Sequence, residues 1–317
     1  MTETIGIDLG GTKALVGVLD EERKVLWESR EPSTGLDEKG LLAMLGREIE
    51  RALEARPAAT AVGLGIPCTI DRDNGVAVTA VNLPIENAPI RDLLAESTGA
   101  SVFIDNDANV AALAEHLYGA GKGMRDTVML TIGTGIGGGL ILDGEVYRGA
   151  TGAGAELGHV PIEIDGPRCQ GNCPGRGCLE SLASGTALGR EGRAAAEREP
   201  ESVLGKMRAD GRAIDGEAVT EAALAGDETA IGVLGLAGRR LGVGLAGFAN
   251  VFEPEAIVIG GGVIGAGDLL LEPARREVRE RALSPMNRTP VLAAELGPDA
   301  GMIGAAAMAR LELESAR

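Results

Sequence analysis

Ile5-Gly6-Ile7-Asp8-Leu9-Gly10-Gly11-Thr12-Lys13, continuing into Ala14 to Leu19, is the stretch on which the fold turns. Thr4 to Leu9 is a short apolar strand pattern. Two glycines turn the chain, and a second strand pattern runs back to Leu19. Asp8 puts a carboxylate at the end of the first strand. Gly10 and Gly11 let the backbone approach a ligand closely, while Thr12 and Lys13 add a hydroxyl and a cation. That set suits a phosphate with its metal: backbone N–H groups and Lys13 toward phosphate oxygens, Asp8 toward magnesium or its waters. A plain hairpin with a solvated lysine uses the same residues, so this stretch alone leaves both readings open.

The pattern returns downstream. Met129-Leu130-Thr131-Ile132-Gly133-Thr134-Gly135-Ile136-Gly137 lies beside Ile5–Lys13 with few identities but the same architecture. Thr127 to Ile132, Gly138 to Leu142 and Glu145 to Arg148 repeat the strand series Thr4 to Leu9, Ala14 to Leu19 and Val25 to Glu28. Helical spacing marks Leu41 to Ala55, ahead of Pro57, and Ala108 to Tyr118. Ala61 to Ile66 and Ser101 to Ile104 read as buried strands. Leu179 onward is helical to about Asn250, followed by strand Glu255 to Ile259, helix Asp268 to Leu283, strand Pro290 to Glu295 and helix Gly301 to Leu313. Thr151 to Asp165 and the cysteine segment after it look like irregular insertions. Alternating strands and helices predict an α/β protein of two similar domains with a cleft between them. The expected division is 1–118 with 301–317 as a small N-terminal domain closed by the C-terminal helix, and 119–300 as a large domain. Two glycine turns, Gly10 to Lys13 and Gly133-Thr134-Gly135, facing across that cleft would hold a nucleoside triphosphate.

Composition narrows the function. In 317 residues the formal net charge is −17, which opposes binding to a nucleic-acid backbone. One Trp, two Tyr and three Phe leave little for stacking on bases. The N-terminus has no apolar run of signal-peptide length, and Leu241 to Phe252 is too short to span a bilayer. Four cysteines are too few for a disulfide scaffold. The expected compartment is the cytoplasm, with neither nucleic acid nor membrane as partner.

G-x-G-x-x-G occurs at Gly133/Gly135/Gly138, Gly242/Gly244/Gly247 and Gly260/Gly262/Gly265. The first precedes a strand, the second lies inside a helix, and the third lacks the acid that binds a ribose. No Walker A sequence is present. Asp105-Asn106-Asp107-Ala108-Asn109 falls at a strand-to-helix junction. Asn106 or Asp107 can be a helix cap there, or a carboxylate at the mouth of the sheet can act as a general base. His159 followed by Cys169, Cys173 and Cys178 matches a closed Cys₃His zinc site, with nine, three and four residues between ligands. Three reduced thiols in a cytosolic loop are the alternative. The other histidine, His116, reads as an ordinary helix residue.

Taken in order, Asp8 to Lys13, Asn106-Asp107-Ala108-Asn109, Gly133 to Gly139, Glu156-Leu157-Gly158-His159, Gly177-Cys178-Leu179-Glu180 and Gly260-Gly261-Gly262 resemble the ROK family of sugar kinases over essentially the whole chain. The resemblance implies an actin-like, hexokinase-like (ribonuclease H-like) fold of two α/β domains, with ATP and magnesium in the cleft and a structural zinc. It implies Asp107 as catalytic base, Asn106, Glu156, His159 and Glu180 as sugar-hydroxyl ligands, and Gly65 and Asn82 on the sugar-side loops. Gly10, Gly11, Thr12, Lys13, Thr134 and Gly135 would be the phosphate loops, with Asp8 beside them, and Gly260 to Gly262 the adenosine loop. His159 would serve zinc with one ring nitrogen and sugar with the other. Two departures stand out: Cys169-x₃-Cys173-x₄-Cys178 replaces the usual Cys-x-Cys-Gly-x-x-Gly-Cys, and Cys68 follows Pro67 where the family usually has Gly.

The expected activity is ATP-dependent phosphorylation of glucose at its 6-hydroxyl. The alternatives are a kinase for another hexose or N-acetylmannosamine, or a non-catalytic sugar sensor. A repressor of the same family needs a helix-turn-helix ahead of the first strand, and Asp8 leaves no room for one. Polyphosphate is an alternative donor, although no basic groove for it is visible in the sequence. A homodimer or homotetramer is expected.

Overall fold

The computed structural model describes residues 2–80 and 82–315. Met1, Val81, Ala316 and Arg317, which the expected domain limits and the Val81 to Pro84 loop include, lie outside the described residues.

Strand β1 (Glu3–Leu9) pairs antiparallel with β2 (Lys13–Leu19), and β2 with β3 (Val25–Pro32). β1 and β2 are buried on both faces, as central strands with covered faces must be. Helix α1 (Glu38–Ala55) begins at Asp37, whose side chain accepts the Gly40 N–H. The chain then returns as β4 (Ala59–Ile66), parallel to β1. Strands β5 (Cys68–Asp71), β6 (Val76–Ala80) and β7 (Glu86–Ala88) form a small antiparallel sheet. After α2 (Ile90–Thr98), β8 (Ser101–Asn106) joins β4 in parallel and runs directly into α3 (Asp107–Tyr118). The first large sheet has the order β3-β2-β1-β4-β8.

The second half repeats this plan. Antiparallel β9 (Thr127–Ile132), β10 (Ile136–Leu142) and β11 (Glu145–Val146) lead to a 3-10 turn at Leu157–His159. Five helices follow: α4 (Leu179–Ala183), α5 (Gly185–Arg198), α6 (Val203–Ala209), α7 (Gly216–Leu224) and α8 (Glu228–Phe252). Next come β12 (Ala256–Gly260), α9 (Asp268–Arg281), β13 (Val291–Ala293) and α10 (Ala300–Ser315). The second sheet has the order β11-β10-β9-β12-β13, which is the order of the first. The faint likeness of 5–13 to 129–137 is therefore a topological repeat.

Helices α3 and α10 lie between the two sheets. Val110 and Leu113 of α3 pack with Ala305 and Met308 of α10. Ala111, Ala112 and Ala114 of α3 meet Met129, Ile141 and Val258 of the second sheet. Missing side chains bring the backbones together: a Cβ on Gly6 or Gly63 would collide with the α10 backbone, and one on Gly304 with the Val110 carbonyl.

The sheet β5-β6-β7 and helix α2 were not anticipated from the sequence. The apolar stretch Leu241 to Phe252 belongs to a helix of 25 residues, long and apolar enough by length and composition to cross a bilayer. Here α8 serves as a core helix, with Gly238 and Gly242 seated on the α9 backbone. Of the middle G-x-G-x-x-G, Gly242 packs on α9 and Gly244 on Leu179, while Gly247 faces open space.

Candidate active site

The site begins as a row. Asp8 on β1, Gly65 on β4 and Asp105 on β8 are in register across the C-terminal ends of three parallel strands. One residue on, Asn106 closes β8 and caps α3. Its Oδ1 accepts the N–H of Ala108 at 2.9 Å and of Asn109 at 3.4 Å, and its Nδ2 donates to the Cys68 carbonyl at 3.3 Å. With capping assigned to Asn106, Asp107 becomes the first helical residue, its Oδ1 accepting the Ala108 N–H at 2.9 Å. Gly65 is needed beneath it: a Cβ there would stand 2.7 Å from Val110 Cγ2 and 3.5 Å from the Asp107 Cα.

Burial pushes Asp107 up to about 6, and the charges of Asp8 and, less strongly, Glu156 add to it, against the Ala108 N–H. Burial likewise lifts Asp8 to about 6, opposed by Lys13. At neutral pH two neighbouring carboxylates are thus ionised but hold protons more readily than usual. Such a pair suits a cation and a proton transfer. Gly301, in the first turn of α10, leaves room for Asp8, since a Cβ there would be 2.5 Å from its Cγ.

Two glycine hairpins flank this pair. In the first, the Gly10 N–H donates to the Lys13 carbonyl at 2.9 Å, and the Ser33 hydroxyl donates to the Gly10 carbonyl at 2.8 Å. Gly11 lies against Asn82, where a Cβ would be 3.0 Å from that of Asn82. Thr12 and Lys13 are exposed. In the second, the Thr134 carbonyl accepts the Thr186 hydroxyl at 2.9 Å and Gln170 Nε2 at 3.4 Å, and the Gly185 N–H reaches the Gly133 carbonyl at 2.8 Å. Gly260 pairs with Thr131 in register, and Gly261, at φ 87°, lies on the Ile132 backbone. Gly133 to Gly135, Gly185-Thr186 and Gly260 to Gly262 therefore gather at one end of the second sheet. Gly185 and Thr186 were missed in the sequence; the one signal for them is Ser184, whose side chain caps α5.

The run Gly137-Gly138-Gly139 on β10 follows from strand alternation. Gly137 and Gly139 face Ala108 and Ala112 of α3, while Gly138 faces Ala155 and Leu157. One strand thus seats the Asp107 helix on one face and the Glu156–His159 turn on the other.

In that turn His159 presents Nδ1 to Cys169 Sγ at 3.4 Å and Nε2 to Glu156 Oε2 at 3.8 Å. The ligand atoms of His159, Cys169, Cys173 and Cys178 all lie within 4.8 Å of one another, with Cys173 and Cys178 sulfurs 4.0 Å apart. Zinc–ligand bonds of ~2.3 Å to sulfur and ~2.0 Å to nitrogen put tetrahedral neighbours about 3.5–3.8 Å apart. The donor set fits zinc despite the lengthened Cys169–Cys173 spacing. Burial raises the Cys169 and Cys178 thiols, so metal binding would release protons. Glu156 is also raised, first by burial, with His159 opposing and Glu180 adding. Glu180 is buried and shared: Oε2 accepts the Ile136 N–H at 2.8 Å, and Oε1 lies 3.7 Å from Cys169 Sγ. Cys68 is buried beside Asp107 and its thiol is pushed up to about 12, chiefly by burial, which makes it unreactive.

The structure thus groups the sequence candidates into a carboxylate pair, two hairpins, a polar turn and a thiol–imidazole cluster, the arrangement of a two-lobed, actin-like sugar kinase. The model of the ROK family matches residues 4–312, and the chain belongs to that family. A glucokinase of Thermotoga maritima is 39% identical over 308 residues, 96% of each chain. The crystal structure of a ROK family glucokinase from Streptomyces griseus, in complex with glucose and AMPPNP, superposes with a TM-score of 0.86 at 36% identity, covering 98% of this chain and 99% of that one. A putative xylose repressor of Caldicellulosiruptor is 31% identical over 96% of this chain and 77% of its own length.

Proposed function

We propose that this protein is an ATP-dependent glucokinase, moving the γ-phosphoryl group of ATP to the 6-hydroxyl of glucose and releasing glucose 6-phosphate and ADP. The observation that carries the reading is Asp107: a carboxylate at a helix N-terminus, held near 6 by burial and by the charges of Asp8 of one hairpin and, less strongly, Glu156 of the polar turn. A base with that proton affinity can take the hydroxyl proton as the oxygen attacks phosphorus, because its ionised form dominates at neutral pH.

The remaining residues position the reactants. Asn106, Glu156, His159 and Glu180, with Gly65 and Asn82 at the edge, hydrogen-bond the ring hydroxyls and fix the 6-hydroxyl against Asp107. His159 is arranged for two roles, since its Nε2 faces Glu156 while its Nδ1 faces the thiols. Gly10, Gly11, Thr12 and Lys13 hold phosphate oxygens from one side, Thr134-Gly135 from the other, and Gly260-Gly261-Gly262 the adenosine. Asp8 would hold magnesium or its waters, and that ion when bound neutralises charge on the phosphates. His159, Cys169, Cys173 and Cys178 would hold a structural zinc, which would fix the loop leading into Glu180 on α4. Residues 1–118 with 301–317 act as one lobe and 119–300 as the other, a division supported by the seating of α10 on the first sheet. In this reading the enzyme works in the cytoplasm as a homodimer or homotetramer, on sugar and ATP alone.

A sugar sensor without activity would keep the hydroxyl-reading residues but has no use for a carboxylate raised beside Asp8. Release of ADP on mixing the protein with ATP, magnesium and glucose, with the product's phosphorus resonance assigned to position 6, tests the proposal. Glucose binding without ADP release would sink it.

A further inference from the structure

Beside the carboxylate pair lies an ion pair that the proposed chemistry does not use. Arg148 follows β11 and sits next to Tyr147, whose N–H donates to the Leu140 carbonyl of the second sheet at 2.8 Å, while the Arg148 carbonyl accepts the N–H of Gly154 in the following turn at 2.8 Å. The Arg148 side chain leaves that sheet and reaches β8 of the first. There its Nε donates to Asp105 Oδ2 at 2.6 Å, while its terminal nitrogen donates to the Val146 carbonyl at 3.2 Å. The Asp105 side chain is only 4% exposed and that of Arg148 21%.

The other oxygen of Asp105 looks toward the helix. Its Oδ1 accepts the Asn106 N–H at 2.8 Å and Asn109 Nδ2 at 2.9 Å. Asp105 is therefore divided between two jobs. One oxygen fixes the residues on either side of Asp107, and the other is gripped by an arginine from the opposite sheet. The grip matters because the segment after Arg148 runs through a tight turn, Gly149 to Gly154, into Glu156 and His159. A guanidinium bonded through two of its nitrogens, to a carboxylate and to a carbonyl, has far less angular freedom than an ammonium.

We propose that Arg148 is a positioning residue that, through Asp105, locks the base-bearing start of α3 against the segment carrying Glu156 and His159. The inference rests on the glucokinase reading for what is positioned, but the lock itself is a statement about geometry. Misplacing a base by a small distance costs catalysis far more than it costs binding. Removing Arg148 takes a hydrogen-bonded cation from Asp105, on which the Arg72 guanidinium also acts, and so frees the carboxylate that holds the Asn106 N–H and Asn109 Nδ2.

The test compares the full chain with Arg148→Gln and Arg148→Lys by amide hydrogen exchange over residues 105–110 and by steady-state glucose phosphorylation. In Arg148→Gln, exchange over 106–109 is expected to rise at least ~10-fold, and kcat to fall at least ~10-fold with KM for ATP little changed. Arg148→Lys recovers part of both losses, because charge returns without the fork. Unchanged exchange with unchanged kcat overturns the proposal. So does exchange that rises throughout the chain with kcat and KM for ATP changed together, since the arginine would then be holding the fold in general. A wild-type protein that phosphorylates no sugar would defeat the glucokinase reading, and the exchange comparison would still decide the lock.

Discussion

Asp8 and Asp107 stand at the ends of different segments yet share one electrostatic environment, in which burial first and the Asp8 charge second hold Asp107 near 6. As the proposed base, Asp107 must be ionised to work, so kcat should rise with pH through about 6 and level off above it. Asp8→Asn removes the neighbouring charge and should move that limb to lower pH, besides weakening magnesium–ATP. A pH–rate profile of both proteins measures it, and coincident acid limbs would separate Asp8 from Asp107.

Asp107→Asn should lower kcat at least ~10²-fold while glucose binding persists, because the amide keeps the size and loses the base. The folded-state value lies above the ordinary carboxylate range. Stability drawn from protonating this group is present below about pH 4 and lost as pH rises through about 6. At pH 7 the substitution should therefore leave the melting temperature equal or higher. Calorimetry with a turnover assay checks both halves; a sharply lower melting temperature would make Asp107 a structural residue.

Gly65→Ala puts a methyl group 2.7 Å from Val110 Cγ2 and against the start of α3. Overpacking of this kind costs about 1–3 kcal/mol, and the forced shift falls on Asp107. The expected outcome is a lower denaturation midpoint together with a fall in kcat larger than the change in KM for ATP. Activity equal to wild type would mean that α3 can yield without moving the base.

Protein prepared without chelator should carry about one zinc per chain, as expected for a closed four-ligand site. Each of Cys169→Ser, Cys173→Ser and Cys178→Ser should release it and loosen the segment leading to Glu180. Metal analysis with amide exchange over residues 159–180 reads the outcome. A metal-free protein with full activity and an ordered loop would exclude the zinc role.

Glucose should be preferred over N-acetylmannosamine as acceptor, because Asn106, Glu156, His159 and Glu180, as the proposed hydroxyl-reading shell, would leave a partner unpaired when a hydroxyl is missing or displaced. In the proposed binding mode, Cys68 and the loop near Asn82 would set the room beside the sugar. The ratio of kcat/KM for the two sugars decides it, and a ratio favouring the acetylated sugar would change the substrate while keeping the kinase.

Much of the fold was legible because its signals are local. Strand alternation, the glycine turns after Asp8 and Ile132, and the helix start at Asn106 each depend on neighbours a few residues apart. The cap was open between Asn106 and Asp107 in the sequence, and the structure gives it to Asn106. Strands β5 to β7 escaped because they are three to five residues long and carry mixed burial, too little for periodicity to register.

By itself the sequence determined the class of fold, the repeat, and the residue types of the hairpins, the carboxylate and amide run at the end of β8 and the thiol cluster, since each is a short motif with its own chemistry. The tertiary structure decided how those pieces are joined. Only packing reveals that Gly137 and Gly139 serve one face of β10 and Gly138 the other, that Glu180 is tied to the Ile136 N–H, and that Asp105 is held by Arg148 from 43 residues away. Spacing along a chain specifies a turn or a cap; it cannot specify which buried charge another sheet will meet, because that depends on where α3 and α10 set the two sheets.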